Sequence, residues 1–326
     1  MDSKQQTTGR RVAMNWWTAG AMGAGMLLAS MLAGSVAYAV TAAGQDCNEV
    51  VDSQLKACQN SAKESYWLAI ARCDNDAADD PRGLCPASAS TELKAAQSDC
   101  TDQLAAREQI CGQLGGGKFN PVINPANFST NISNPYFPLK PGTKFVYEGA
   151  TAAGFEHVEF VVTRKTRLLS GVKCVEVHDT SAVDGVIVED TLDWFAQDKA
   201  GNVWYFGEDS KQYADGFLVG IDGSWRAGVD DAKPGIVMKA NPKLKDVYRQ
   251  EFAISEAEDS AEVIALGQAT SANGKAYKNA LVTHEFSGLE PSANERKFYV
   301  PNVGNVLTID DETGERSALV SVTTIP

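Results

Sequence analysis

The chain has 326 residues, of which 44% are hydrophobic, so its length and composition suit one large or two modest domains with a real core. Its formal net charge at pH 7 is −13, and this acidity argues against the lysine- and arginine-rich surface that binding to nucleic acid or anionic lipid requires. We therefore expect no nucleic-acid partner, and we interpret the acidity mainly as a source of solubility.

Residues 1–39 are expected to be an export signal rather than part of the fold. A polar segment that carries Lys4, Arg10 and Arg11 precedes an uncharged, Gly/Ala-rich run, which ends in an Ala-Tyr-Ala cleavage triplet at residues 37–39. Because the apolar run is long for a signal, an uncleaved membrane anchor is the alternative. The paired arginines fit twin-arginine export, and general secretion is the other route. Either route predicts a periplasmic or extracellular protein.

Six of the seven cysteines fall in one stretch, with a palindromic spacing of 11, 15, 12, 15 and 11 residues. Paired from the outside inward, the positions of every pair have the same sum, as expected for two antiparallel segments. Spacings of 11 and 15 keep the cysteines near one face of an α-helix. Since disulfides persist in exported proteins, and since this stretch lacks the Cys-x-x-Cys pairs and histidines of a metal site, the spacing predicts three disulfides. The predicted pairs are Cys47 with Cys111, Cys58 with Cys100, and Cys73 with Cys85.

Residues 40–114 are expected to form a helical hairpin held by these disulfides. Glu49–Arg72 and Ser90–Gln113 have helical composition, while Asp74–Leu84 contains Asp-Asp-Pro-Arg-Gly, which is typical of a loop. Large apolar side chains are sparse in both helices, so packing alone should not stabilise them. Each disulfide is expected to stabilise the hairpin by about 2–4 kcal/mol.

Residues 115–142 are rich in Gly and Pro and are expected to be a linker. From Thr143 to residue 326 the hydrophobic pattern alternates with period two, and turn signals separate the candidate strands. No helix-length segment intervenes, which argues against parallel βαβ units. The predicted fold class is therefore α+β: a disulfide-laddered helical hairpin followed by a mainly antiparallel β-domain that curls into a curved sheet, barrel or half-barrel.

Three segments of the β-domain have distinct predictions. Glu189–Asp209 is expected to be its central hairpin, with a polar turn at Asp198–Asn202. Gln212–Val219 is a candidate strand. Ser224–Pro242 is predicted to be a long ordered loop, and long loops are often functional.

Several segments of the β-domain resemble an uncharacterised family of exported bacterial β-rich proteins. The segments are Asn134–Glu148, Glu189–Glu208, Gly223–Asp230 and Tyr248–Glu251, and the likeness covers about residues 134–310. The resemblance implies a secreted β-domain. It implies no activity and carries no functional residues to this chain.

Acidic and aromatic residues of the β-domain are candidates for a ligand-binding site. Glu189 and Asp193 share one face of a strand and could bind a ligand or do acid–base chemistry. Trp204, Trp225 and Asp230 are further candidates, and Trp225 leads them because it lies in the predicted loop. The alternative is that the aromatic residues are core residues and that the acids discourage aggregation at a strand edge.

A second candidate site would bind a divalent metal through His157, Glu159, Cys174, Glu176 and His178. Alternation places the last three on one strand face, and a hairpin register with His178 opposite Glu159 would bring acid, histidine and thiol together. The alternative is a solvated polar face with a buried free thiol at Cys174. No other cofactor is predicted.

The chain lacks the Gly-x-Ser-x-Gly, His-Glu-x-x-His, Gly-x-Gly-x-x-Gly and Cys-x-x-Cys motifs of common enzymes and redox proteins. We therefore expect an exported, non-enzymatic protein that binds a small molecule or associates with the cell envelope. The alternatives are a β-barrel enzyme that uses Asp/Glu acid–base pairs and a metal-binding protein. No membrane contact is predicted beyond the possible N-terminal anchor.

Overall fold

A computed structural model describes residues 42–75 and 84–325 of the chain. The described residues fall into two compact units: a helical unit that ends at Phe119, and a β unit that follows it. The predicted export signal at residues 1–39 and most of the predicted loop at Asp74–Leu84 lie outside the described residues. None of the described helices is long and apolar enough to cross a membrane.

The helical unit contains helix α1, Ala42–Asn75, and helix α2, Leu84–Gln113. Three disulfides join the helices, and they are the pairs that the palindromic spacing predicts: Cys47–Cys111, Cys58–Cys100 and Cys73–Cys85. The apolar core is small, since Val51 is buried with the outer disulfide and Leu104 packs against it. The three disulfides therefore supply much of the stability that a hydrophobic core supplies in larger domains.

The β unit forms one sheet of sixteen strands and carries a short 3-10 helix at Pro125–Asn127. The strands in chain order are β1 Phe128–Ser129, β2 Thr143–Thr151, β3 Gly154–Leu169, β4 Val172–Val183, β5 Val186–Asp198, β6 Val203–Ala214, β7 Phe217–Gly220, β8 Trp225–Arg226, β9 Lys233–Met238, β10 Val247–Arg249, β11 Glu251–Phe252, β12 Asp259–Ala272, β13 Lys275–Ser287, β14 Asn294–Val300, β15 Gly304–Asp310 and β16 Arg316–Thr324. The predicted α+β class is confirmed.

The strands pair antiparallel in the order β10-β12-β13-β14-β15-β16-β2-β3-β4-β5-β6-β9-β11, with β1 beside β5 and with β7 and β8 beside β6. Most neighbours are consecutive in the chain, as in a meander of hairpins. Strands at the two ends of this path contact each other, β10 with β9 and β11 with β12. The sheet is therefore nearly closed and barrel-shaped, with one face turned to an enclosed interior.

Strand alternation decides which side chains enter that interior. In β3, every second residue from Glu156 to Val162 is buried, while the residues between them are partly exposed. The largest fully buried side chains of the unit are aromatic, and they include Trp194, Phe195 and Tyr205. Interior positions are not all apolar, because charged residues such as Glu156 share the same face.

The predicted linker, residues 115–142, is integral to the β unit from Asn120 onward. Ile132 and Leu139 are buried in the core of that unit. The Asn134 amide donates hydrogen bonds to the carbonyl oxygens of Gly201 at 2.9 Å and Lys239 at 3.1 Å. The segment therefore packs against the sheet and is not a flexible spacer. Its extended, Pro-containing backbone lets its side chains contact the core of the β unit.

Two predictions within the β-domain are wrong. Gln212–Val219 is a hairpin rather than one strand, because Asp215 and Gly216 adopt left-handed φ angles of 52° and 78° between β6 and β7. Ser224–Pro242 is not a continuous loop, because it contains β8 and β9, which both pair with β6. The short length of β8 and the Pro-Gly pair inside β9 conceal the alternation on which the strand prediction depends.

Candidate functional site

Acidic side chains concentrate on the interior face of the β unit. Those that are buried or half-buried there, and that interact electrostatically with one another or with Lys297, are Glu156, Asp179, Glu189, Asp193, Glu208, Glu251, Asp259, Glu285 and Glu295. Burying so many acids beside few cations is costly unless they bind protons or other partners. The interior of the β unit thus differs from an ordinary apolar core in the number of acidic side chains that it buries.

Asp193, Glu208 and Glu251 form what we call the acid cluster. Asp193 on β5 lies directly opposite Glu208 on β6, and each of the three residues is at most 3% exposed. The Tyr205 hydroxyl donates to Asp193 Oδ1 at 2.7 Å, and the Trp225 indole N–H donates to Glu251 Oε2 at 2.7 Å. The sheet therefore fixes three carboxyl groups beside two aromatic donors.

The acid cluster has raised pKa values, chiefly because burial removes the hydration of the charged carboxylates. The pKa of Asp193 rises to about 8. Those of Glu208 and Glu251 also rise well above the ordinary range, and repulsion from neighbouring acids adds to the effect of burial. Burial likewise raises the pKa of Glu189 and of Asp259 to about 7. These interior acids therefore take up protons at a higher pH than exposed carboxyl groups do.

A separate cavity of about 40 Å³ lies within the β unit. Its wall combines apolar with polar and charged side chains, and its lining residues are Phe137, Pro138, Leu139, Phe145, Tyr147, Phe160, Val237, Gln250, Glu285, Lys297, Tyr299, Gly304 and Asn305. That volume accommodates only a few water-sized groups. None of the three residues of the acid cluster belongs to this lining.

Lys297 is the centre of the charged part of the cavity lining. Its ammonium lies 2.9 Å from Glu285 Oε2 and 3.3 Å from Glu295 Oε2, and the Tyr299 hydroxyl donates to Glu285 Oε1 at 3.0 Å. Burial opposes both charges, yet attraction to Lys297 holds the pKa of Glu285 below its usual range, and the two glutamates raise the pKa of Lys297. An ion pair therefore lines the cavity together with apolar side chains and the polar side chains of Gln250 and Asn305.

Of the predicted ligand-binding residues, the structure brings Asp193 and Trp225 together at the acid cluster, with Glu189 close by. Glu189 accepts a hydrogen bond from Thr191 Oγ1 at 3.0 Å and repels Asp193 electrostatically. Trp225 is buried rather than set in an open loop, because β8 pairs it with the sheet at Glu208. The structure thus unites three of the five predicted residues.

Trp204 and Asp230 lie apart from that group. Trp204 is half-buried, donates its indole N–H to Asp198 Oδ2 at 2.8 Å, and packs edge-on against Phe128. Asp230 is exposed in a turn, where its φ angle is 47°. Trp204 therefore stabilises the polar turn between β5 and β6, and Asp230 shapes a surface turn.

The predicted register of the β3–β4 hairpin is wrong. His178 lies opposite Val161, and Glu159 lies opposite Thr180. The reason is that β3 continues to Leu169 before a tight turn, and that the pairing shifts between Val162 and Thr166. His178 therefore does not face Glu159 directly.

The five predicted metal ligands are not brought together. His157 contacts Glu148 at 3.0 Å and Glu159 at 3.6 Å, whereas His178 contacts Asp190 at 3.2 Å. Cys174 is a buried free cysteine, whose pKa is raised by burial, and Glu176 is buried near Thr163. Among the described residues, no group of three or more His, Cys, Asp or Glu side chains could hold a metal ion.

Sequence reasoning missed Glu208, Glu251, Glu285 and Lys297 as site residues. Alternation alone could have placed Glu285 and Lys297 on one face of their strands, but it does not say which face is enclosed. Glu208 reaches the interior only after an irregularity at Gly207, whose φ is 135°. Its position was therefore hidden from a strict period-two pattern.

No protein-family model matches this chain, and no curated protein matches it. Among solved structures, the chain is similar to a candidate lipoprotein from Parabacteroides distasonis, with 16% sequence identity and a TM-score of 0.31. The match covers 58% of this chain and 98% of that chain. A TM-score this low supports no conclusion about fold or function, so the resemblance to a family of exported bacterial proteins stays a prediction.

Proposed function

We propose that this chain is an exported, non-enzymatic protein of the cell envelope or extracellular space, and that its β unit binds a small molecule in its interior. Export is supported by the sequence of residues 1–39 and by three disulfides, which persist in oxidising compartments. The binding proposal depends on the cavity.

The observation that carries the proposal is the mixed apolar and charged lining of this cavity. Phe137, Phe145 and Phe160 supply apolar surface, while the ion pair of Lys297 and Glu285 supplies fixed polar groups. Ligand sites combine these two features, since apolar surface contributes affinity and a few placed polar groups fix the orientation of the ligand. The favoured ligand is therefore a small molecule with an apolar body and a polar end.

One segment of the cavity wall limits the size of that ligand. Phe137, Pro138 and Leu139 line the cavity but come from the segment before β2 rather than from the long strands. Phe137 packs against Phe195 and Tyr299, with ring centroids 5.5 and 6.4 Å apart. A ligand larger than the cavity requires this segment to move, because the surrounding strands are hydrogen-bonded to their neighbours.

Binding is favoured over catalysis by the contents of the cavity. None of the three histidines lines it, and neither Asp193 nor Glu208 does so. The Lys297–Glu285 pair is held in its ionised form by mutual attraction, so it is poorly suited to proton transfer near neutral pH. The cavity thus offers recognition groups rather than a proton donor and acceptor matched to chemistry.

A thermal-shift screen of the full chain against small amphiphilic molecules tests the proposal. We expect at least one compound to raise the melting temperature in a saturable way, because a ligand that binds only the folded state stabilises it. Val237→Phe fills the cavity and should weaken that compound at least tenfold, whereas Val320→Phe, at an exposed position, should not. If no compound binds, or if it binds the Val237→Phe protein equally well, the proposal fails.

A further inference from the structure

We infer that the cavity selects a short uncharged alcohol over the carboxylate and the ammonium compound with the same apolar body, an assignment that rests on the binding function proposed for this cavity. Three features of the lining point to an alcohol: an excess of negative charge, hydrogen-bond donors that are already used, and a small volume.

The charges around Lys297 disfavour a ligand with a carboxylate. Lys297 is the one cation among the residues that line the cavity, and its ammonium already contacts Glu285 at 2.9 Å and Glu295 at 3.3 Å. Asp259 also interacts with Lys297 electrostatically and adds negative charge when it ionises. The acids therefore outweigh the single ammonium, and a further carboxylate would be repelled strongly, because charges interact more strongly in a desolvated interior than in water.

The hydrogen bonds of the lining favour a ligand that donates as well as accepts. Tyr299 donates its one hydroxyl proton to Glu285 Oε1 at 3.0 Å, so this hydroxyl can only accept from a ligand. The Gln250 side chain also donates to Glu285 and keeps its amide oxygen as an acceptor. Lys297 has three N–H groups, and its contacts with two glutamates leave one that can donate to a ligand.

A hydroxyl is the group that suits both the charge and the hydrogen bonds. An ionised carboxylate has no proton to donate, and an ammonium group has no acceptor and would bring a second positive charge to Lys297. A hydroxyl donates one proton, accepts through its lone pairs and has no charge. The volume of about 40 Å³ holds only a few heavy atoms, which favours a short alcohol whose alkyl chain contacts Phe145 and Phe160.

Titration of the full chain with 1-propanol, sodium propionate and propylammonium chloride at pH 7 and equal ionic strength tests the inference. The readout is the NMR shift of backbone amides in β13 and β14, which carry Glu285 and Lys297. We expect 1-propanol to give saturable shifts and both ions to bind at least tenfold more weakly. Val237→Phe fills the cavity and should abolish the shifts, whereas Val320→Phe should not, which separates binding in the cavity from a solvent effect of the alcohol.

Removal of one negative charge should change the selectivity of the cavity. Glu285→Gln keeps the shape of the side chain and leaves Lys297 with fewer acids, so it should strengthen propionate binding at least tenfold. Glu295→Gln removes a charge from outside the lining and provides the same test if the Glu285 variant does not fold. Glu262→Gln, on a half-exposed acid of β12, is the matched control and should leave all three affinities unchanged.

Three outcomes would overturn the inference. The first is that propionate or propylammonium binds the unchanged chain as tightly as 1-propanol and that Val237→Phe blocks this binding, in which case the cavity is a binding site without the inferred selectivity. The second is that 1-propanol gives no saturable shift although another compound of the thermal-shift screen binds in the cavity. The third is that folded Glu285→Gln and Glu295→Gln proteins still reject propionate. If no compound of either experiment binds, the proposed function fails as well.

Discussion

The helical unit and the β unit reach stability by opposite means. In the helical unit, few side chains are buried and three disulfides connect α1 to α2. In the β unit, a large apolar core forms around a nearly closed sheet, and its one cysteine, Cys174, is free. Disulfides act mainly by restricting the unfolded chain, whereas a core acts through burial in the folded state.

The difference explains where a functional site can form. The helical unit has no buried cluster of charged side chains among its described residues. The β unit buries enough apolar surface to tolerate Lys297 and several acids in its interior. A large core therefore permits a costly polar site, while a small core does not.

Removal of the three disulfides should have the largest effect, and it should be confined to the helical unit. Reduction with a thiol should destabilise α1 and α2 by about 2–4 kcal/mol for each bond lost. Hydrogen exchange followed by mass spectrometry should show loss of protection in both helices and unchanged protection in β2–β6. Retention of protected helices in the fully reduced chain would show that packing, not covalent linkage, holds this unit.

Disruption of the interior ion pair should have the next largest effect, confined to the β unit. Lys297→Met leaves Glu285 and Glu295 buried without their cation, which typically costs about 3–5 kcal/mol at neutral pH. Denaturant unfolding monitored by hydrogen exchange in β13 and β14 measures the loss. Lys278→Met, at an exposed position of β13, is the control and should change stability by less than about 0.5 kcal/mol. Equal losses in both variants would contradict the role of the pair.

The stability of the β unit should also depend on pH, and the sign of this dependence follows from the raised pKa values of the interior acids. The folded β unit binds more protons than the unfolded chain between the ordinary carboxyl pKa and the raised values, about 7 for Glu189 and Asp259 and about 8 for Asp193. Its stability should therefore fall as pH rises from about 4 to 8. Glu285, whose pKa is lowered, loses its contribution only in more acidic solution.

Melting temperatures of the β unit at pH 5 and pH 8 measure this effect, and Glu208→Gln should reduce the difference between them. The same variant should be more stable than the unchanged chain at pH 8, because it removes a buried acid that must otherwise stay protonated or pay for ionisation. The helical unit should show no such dependence. A β unit that is more stable at pH 8 than at pH 5 would contradict the assignment of buried acids.

Much of the fold could be predicted because it depends on patterns along the chain. The palindrome of cysteines predicts the pairing of Cys47 with Cys111 and of the two inner pairs, since antiparallel helices bring together positions with a constant sum. Alternation predicts most of the long strands in the same way. Both arguments need only local geometry and the spacing of residues.

The candidate site depends on tertiary structure. Closure of the sheet decides that the face with Asp193 is enclosed, and the irregularity at Gly207 turns Glu208 toward it. The pairing of β8 with β6 buries Trp225 and brings it to Glu251. The sequence by itself determined that a helical hairpin precedes a β-domain, and it determined the three disulfide pairs of the hairpin. Tertiary structure alone decided which acids meet, because register and closure are set by contacts between residues far apart in the chain.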